Sequence, residues 1–263
     1  MMKIKLAISI CILSTLAFLS SCGGPGKEAS DKETNGAITV NNKQLQKSVG
    51  LFKDITLPFT VDTALLFKLE KGDSLGSFEI KTLAANCFKH DLLESFEYDL
   101  NTFYKIDSIK AAGKYRQYCD SVSIGMTKVS AAHALGEFQL DANTLILVWG
   151  LNTSSYEACP YSSTWAAYFT VIYKGNVGET FLLGEYISAG DAPVSMERTV
   201  SSKFIADGTI TMDVYQVNDE DMDLPEVEIT KEQYTFAVKD GAIKLLSEKK
   251  NPAVKEKRKK TGA

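Results

Sequence analysis

The sequence predicts a mainly β protein: an antiparallel meander that forms a sandwich or a curled sheet and carries one short helix. Two apolar runs point there first. Residues 144–151 (TLILVWGL) and 165–173 (WAAYFTVIY) are apolar at odd and even positions alike. Their short length and their β-branched and aromatic content fit strands buried on both faces better than helices. Two Asp-Gly pairs point there again. Asp207-Gly208 and Asp240-Gly241 each stand between strand-like stretches, and Asp-Gly suits a two-residue type I′ hairpin loop, in which both central residues need positive φ. A propeller-like fold is the alternative architecture, disfavoured because no repeat of 20 to 50 residues with a fixed period is visible.

The elements follow in chain order. Residues 55–61 alternate until Pro58 forces an edge or irregular position. Residues 78–83 read as a short strand. The best helix candidate is 87–100, where Phe88, Leu92, Phe96 and Leu100 fall four apart on one stripe and Lys89, Asp91 and Glu94 lie opposite. Residues 103–109 and 114–126 read as strands separated by a turn at Gly113. After the strand 144–151 comes a long loop, 152–164, and then the strand 165–173, a turn at Asn176-Val177-Gly178 and a strand over 180–188. The Asp-Gly pairs then join 199–206 to 209–215 and 234–239 to 242–247. In the second hairpin a two-residue loop sets Val238 opposite Ile243 and Phe236 opposite Leu245, all on one face.

Ahead of this region the chain begins with Lys3 and Lys5, followed by an uncharged apolar run over 6–19 and small residues. That is the layout of a secretory signal, too short to span a bilayer comfortably. The run closes on Leu19-Ser20-Ser21-Cys22. This tetrapeptide resembles the lipobox of bacterial lipoproteins, where a leucine three residues before a cysteine is followed by two small residues. The resemblance covers residues 1–22. It implies cleavage before Cys22, which then carries a thioether-linked diacylglycerol and usually an N-acyl chain, palmitate, with the lipid bilayer as the partner. At about 0.8 kcal/mol per buried methylene, two or three chains hold a protein for practical purposes permanently. Gly23 after the cysteine implies delivery to the outer membrane, on its periplasmic side or at the cell surface. The expected organisation is a signal peptide over 1–21, a lipidated flexible tether over 22–36, an all-β domain over 37–247 and a basic disordered tail over 248–263.

Charge narrows the function. The chain carries a formal −4; loss of Lys3 and Lys5 leaves −6, and residues 248–263 hold seven basic and two acidic groups, so the body between is near −11. A body that acidic argues against nucleic acid as a partner, since phosphate contacts need clustered Lys and Arg. Cys87, Cys119 and Cys159 remain after the leader. In an oxidising compartment they fit one disulfide and a spare thiol, or three buried thiols, and the spacing does not choose a pairing.

Four stretches invite a chemical reading. Gly72-Asp73-Ser74-Leu75-Gly76 matches a Gly-Asp-Ser-Leu hydrolase motif and a nucleophile elbow, but it lacks the buried strand before the serine and a histidine at the expected spacing, so it reads as a hairpin turn. Cys87 and His90 are three apart, with no second pair to complete a zinc site. Asp219, Asp221 and Asp223 begin like a calcium loop. The sixth and twelfth positions, however, are Leu224 and Thr230 instead of glycine and glutamate, which favours an exposed acidic loop. The fourth stretch is the loop 152–164, held at its ends by the two most apolar strands. There Tyr156, Tyr161 and Trp165 offer aromatic faces, with Glu157 and the serines as hydrogen-bonding partners. No cofactor and no metal are expected. The expected function is therefore a non-catalytic binding or structural role in the envelope, toward a glycan or another envelope protein. The alternative is a polysaccharide- or peptidoglycan-directed hydrolase using carboxylates such as Glu157 or Glu185, which needs two acids facing each other across a cleft.

Overall fold

The computed structural model describes residues 38–121, 126–157, 161–221 and 224–258. The expected signal peptide and tether lie outside them. The described elements run α1 (Lys43–Val49), β1 (Phe59–Val61), α2 (Thr63–Leu66), β2 (Asp73–Leu75), α3 (Ser77–Leu83), α4 (Phe96–Ala111), α5 (Tyr115–Ser121), β3 (Met126–Asp141), β4 (Thr144–Glu157), β5 (Tyr161–Tyr173), β6 (Asn176–Asp191), β7 (Val194–Phe204), β8 (Thr209–Asp219), β9 (Glu226–Lys239), β10 (Ala242–Lys250) and β11 (Val254–Lys257). The protein is mainly β. Its strands form one open antiparallel sheet in the order β10-β9-β8-β7-β6-β5-β4-β3-β2, with β1 added to β7 and β11 to β9. From β3 to β10 each strand pairs with the next in sequence, which makes the sheet a meander and not a propeller.

The sheet curls. Phe138 on β3 meets Phe204 on β7 at 4.9 Å between ring centroids, and Phe181 on β6 meets Phe236 on β9 at 4.7 Å, although neither pair of strands is adjacent. Register shifts between Ala134 and Gly136, Ala167 and Tyr168, and Leu245 and Ser247 supply the bends. Residues 145–149 on β4 and 166–169 on β5 are all buried, as strands apolar on both faces must be. One side of these strands is covered by helices. Phe96 on α4 packs on Tyr168 at 4.7 Å, Trp149 lies 4.7 Å from the same ring, and the Trp149 indole N–H donates to Thr170 Oγ1 at 3.0 Å. The Leu83 carbonyl at the end of α3 accepts from Thr180 Oγ1 at 2.5 Å, which ties α3 to β6.

The hairpin at Asp240-Gly241 has the expected geometry. Both residues take positive φ (54° and 79°), and Val238 pairs with Ile243 and Phe236 with Leu245. A methyl group on Gly241 would stand 2.5 Å from Tyr173 Cγ, so packing demands glycine there as well. The first Asp-Gly turn differs. Only Gly208 has positive φ, and Asp207 instead accepts from the Thr209 N–H through its side chain in a longer turn. The expected turn at Asn176-Val177-Gly178 sits earlier, at Lys174 and Gly175, which both take positive φ while Asn176 opens β6.

Among the described residues before 122, five α-helices correct the expectation of one. Residues 78–83 are helical: Glu79 reaches back to the Gly76 N–H at 3.1 Å in a capping arrangement, and Ile80 and Leu83 turn inward. The helix expected over 87–100 starts at Phe96 and replaces the strand expected over 103–109. Cys87 and Phe88 instead run beside Thr180 on β6. Phe96, Phe103 and Ile106 are buried on α4 at helical spacing, and Gly113, with φ of 68°, ends it. Residues 115–121 form α5 and not a strand. The tail expected to be disordered from 248 is ordered through 258: it completes β10 and adds β11 against Val227 and Ile229.

Candidate functional site

The expected loop 152–164 is absent as a loop. Its serines, threonines and tyrosines continue β4 and β5 outward, with Ser154 opposite Ser163 and Tyr156 opposite Tyr161. Residues 158–160, Cys159 included, lie outside the described ones. The side chains of Tyr156 and Glu157 lie outside them too. The protruding strand ends build a surface that four further strands extend. Cross-strand partners share a face, so three rows can be read from the register: Trp165, Tyr186, Thr199, Tyr215 and Lys231; Ser163, Ser188, Glu197, Val217 and Ile229; Tyr161, Gly190, Ser195 and Asp219.

Aromatic rings dominate this face. Phe67, from the turn after α2, stands edge-on to Trp165 at 5.4 Å and to Tyr186 at 5.2 Å. Tyr161 and Tyr215 are 38% and 41% exposed, and Phe67 is 54% exposed. Trp165 is half-buried, so it serves as the floor of the row and not as its tip. Tyr161 and Trp165 share a face but sit four residues apart, about 13 Å at strand rise. Tyr161, Met196, Tyr215 and Val217 line a groove of about 490 Å³. Hydrogen-bonding groups alternate with the rings: Tyr186 Oη donates to Glu197 Oε1 at 2.5 Å, and burial together with that carboxylate pushes the phenol up to about 12. Lys231 lies over the Tyr215 ring at 5.7 Å and 3.7 Å from Glu256.

The groove's far wall is the folded tail. Arg258 donates to both Asp219 oxygens, at 2.5 and 2.9 Å, and to the Asp221 carbonyl at 2.9 Å. The Asp219 carboxylate is thus engaged by a guanidinium, and among the described residues no group of three acids, histidines or cysteines is placed to hold a metal. Asp223 lies outside them. Cys87 and Cys119 are both unpaired thiols, the first half-buried and pushed up to about 11 by that burial.

A second polar cluster lies beneath α4, and nothing in the local sequence marks it. Asp99 on α4 and Glu185 on β6 are buried to 2% and 1% exposure, and the charge of Glu185 favours the protonated form of Asp99. Ser95 donates to Glu185 Oε1 at 2.9 Å, while Arg198 Nη1 stands 3.4 Å from Oε2 in an ion-pair contact without hydrogen-bond geometry. Burial, then the charge of Glu185, lifts the Asp99 carboxyl to about 7, against the pull of the hydroxyls of Ser95, Thr153 and Thr164. Burial lifts Glu185 as well, with Arg198 opposing. Tyr168 Oη, Asp99 Oδ2 and Glu185 Oε2 make no hydrogen bond. Two acids are thus brought together, but under a helix and not across a cleft.

The hairpin turn expected at Gly72–Gly76 is corrected: Ser74 lies inside strand β2, which passes through Gly76 into α3, because residues 77–83 are helical and not a second strand. The cross-strand partner of Ser74 is His133, a neighbour that sequence spacing alone does not show. The His133 ring, however, engages the Gly72 carbonyl through Nδ1 at 3.2 Å, and its Nε2 is buried without a partner, so no hydrogen bond joins the two residues. No family model, no curated protein and no solved structure matches this chain.

Proposed function

We propose that the chain is an envelope lipoprotein, held in the outer membrane through acylated Cys22, whose β domain binds an extended envelope glycan without catalysis. The row of rings at the outer end of the sheet carries the reading. An exposed ring and a half-buried one set about 13 Å apart along β5 suit a ligand of several linked units, and aromatic faces stack on the C–H faces of sugars while the intervening serines and threonines meet hydroxyls. Rings already fixed by strand pairing lose little conformational freedom when a ligand docks. The sealed position of Asp99 and Glu185 is what favours binding over the hydrolytic alternative, since a glycosidase needs its two acids where a sugar can reach them.

Two measurements test the two halves separately. Cys22→Ala is expected to move the protein from the membrane to the soluble fraction of cells, and a variant that stays in the membrane removes the lipid anchor from the proposal. Tyr161→Ala is expected to weaken binding to envelope polysaccharide about tenfold or more, with little change in stability because the ring is 38% exposed. Unchanged polysaccharide affinity, or binding of an unfolded peptide segment in its place, overturns the glycan assignment.

A further inference from the structure

A pocket between β1, the turn after α2 and the bulge of β3 has the chemistry of a second site. Edge strand β3 is paired by β2 at Ala132 to Ala134 and bridged at Glu137 by the chain near Lys53, which leaves the bulged residue Leu135 between two partners. Both flanking segments approach closely. A methyl on Gly72 would stand 2.1 Å from the Ala134 carbonyl oxygen, and one on Gly136 would stand 2.4 Å from that of Lys53. The Glu137 N–H donates to Lys53 O at 2.8 Å, and Leu69, 1% exposed, anchors the turn that carries Lys68 and Lys71. Backbone pairing and a buried leucine therefore fix three lysine positions around one opening of about 440 Å³, whose walls include Phe59, Leu65 and Leu135.

The charge there is unbalanced. None of the three ammonium groups has a carboxylate within 4 Å among the described residues. The one acid lining the pocket, Asp62, is spent as the cap of α2, accepting from the Leu65 N–H at 2.9 Å. In a body near eleven net negative charges, three exposed lysines that line one apolar recess without a carboxylate partner make it a place of locally positive potential that favours an anion. We propose that this pocket binds an anionic amphiphile, with the phosphate or carboxylate head among Lys53, Lys68 and Lys71 and the apolar stem against Phe59, Leu65 and Leu135. Ammonium groups on flexible stems suit a compact anionic head as point charges, and the apolar wall contributes through area removed from water. This site is independent of the aromatic face.

The test titrates the purified protein with dodecyl phosphate below its micelle concentration, with inorganic phosphate and with dodecyl maltoside, following backbone amide shifts. Dodecyl phosphate is expected to shift the amides of residues 53, 68, 71 and 135 and to bind at least tenfold more tightly than either other probe. Joint Lys53→Gln, Lys68→Gln and Lys71→Gln substitution is expected to weaken it at least tenfold, and the matching arginine substitutions to keep it within about threefold. Equal affinity for the maltoside makes the site a plain apolar contact, equal affinity for inorganic phosphate makes it a free-anion site, and glutamine variants that bind like the parent remove the lysines; each of these overturns the proposal.

Discussion

Trp149→Ala is expected to destabilise the protein by about 4 kcal/mol, the middle of the range for truncating a fully buried aromatic residue. The indole has no exposed surface, packs at 4.7 Å on Tyr168 and at 6.3 Å on Phe96, and donates to Thr170. It sits where β4 and β5 meet α4, so its loss opens a cavity where the helical layer packs on the centre of the sheet. Thr170 Oγ1 keeps its 2.7 Å partner in Thr180 Oγ1, so the effect comes from lost packing and not from a stranded hydroxyl. For a domain stable by roughly 5 to 15 kcal/mol, this is a large fraction. Urea titration checks it: a midpoint shift equivalent to less than about 1 kcal/mol would mean that the helical layer contributes little to the stability of the sheet.

Legibility in the sequence divides sharply at residue 122. After it, strands apolar on both faces leave little choice, because 144–151 and 165–173 fit no other element of that length, and Asp240-Gly241 sets a register that the structure keeps as far as Phe236 opposite Leu245, where a bulge at Leu246 shifts it. Before it, short elements with mixed patterns competed. Residues 78–83 alternate apolar and polar as a strand would, yet Ile80 and Leu83 also fall three apart, and Glu79 capping the helix decides in favour of the 3.6-residue period. Residues 103–109 carried the helical spacing Phe103, Ile106 and Ile109 and were read as a strand because the helix was started nine residues too early, at Cys87. Lysine is an unusual left-handed residue, so the local sequence points to Asn176-Val177-Gly178 while Lys174-Gly175 makes the turn. In the aromatic face, Tyr161 and Trp165 were visible. Phe67, Tyr186 and Tyr215 were not, because only the pairing of five strands and the turn after α2 brings them to the same side. The lysine pocket depends likewise on two segments meeting at a bulge, a placement that no local pattern encodes.

The buried acids give the second large effect, a loss of stability as pH rises. Asp99 titrates near 7 in the folded protein and near its ordinary value of about 3.8 when unfolded. Between those two values the folded state holds a proton that the unfolded state has released. Stability therefore falls as pH rises through this window and is fully reduced above pH 7, the opposite of the usual salt-bridged aspartate. The shift corresponds to about 4 kcal/mol as an upper figure, at about 1.4 kcal/mol per unit. Glu185 moves in the same direction, but Arg198 at 3.4 Å offsets it, so the pair retains one proton most readily on Asp99. Asp99→Asn removes the ionisable group while keeping its shape. The variant is expected to be within about 1 kcal/mol of the parent at pH 5, where Asp99 is already neutral, and more stable than the parent by on the order of 2 kcal/mol at pH 8.5, where the parent must bury a charge beside Glu185. Melting temperatures at the two pH values decide it. Parallel curves for parent and variant would place the proton elsewhere, and a variant less stable at both would mean that the Asp99 carboxyl is held by bonds an amide cannot make.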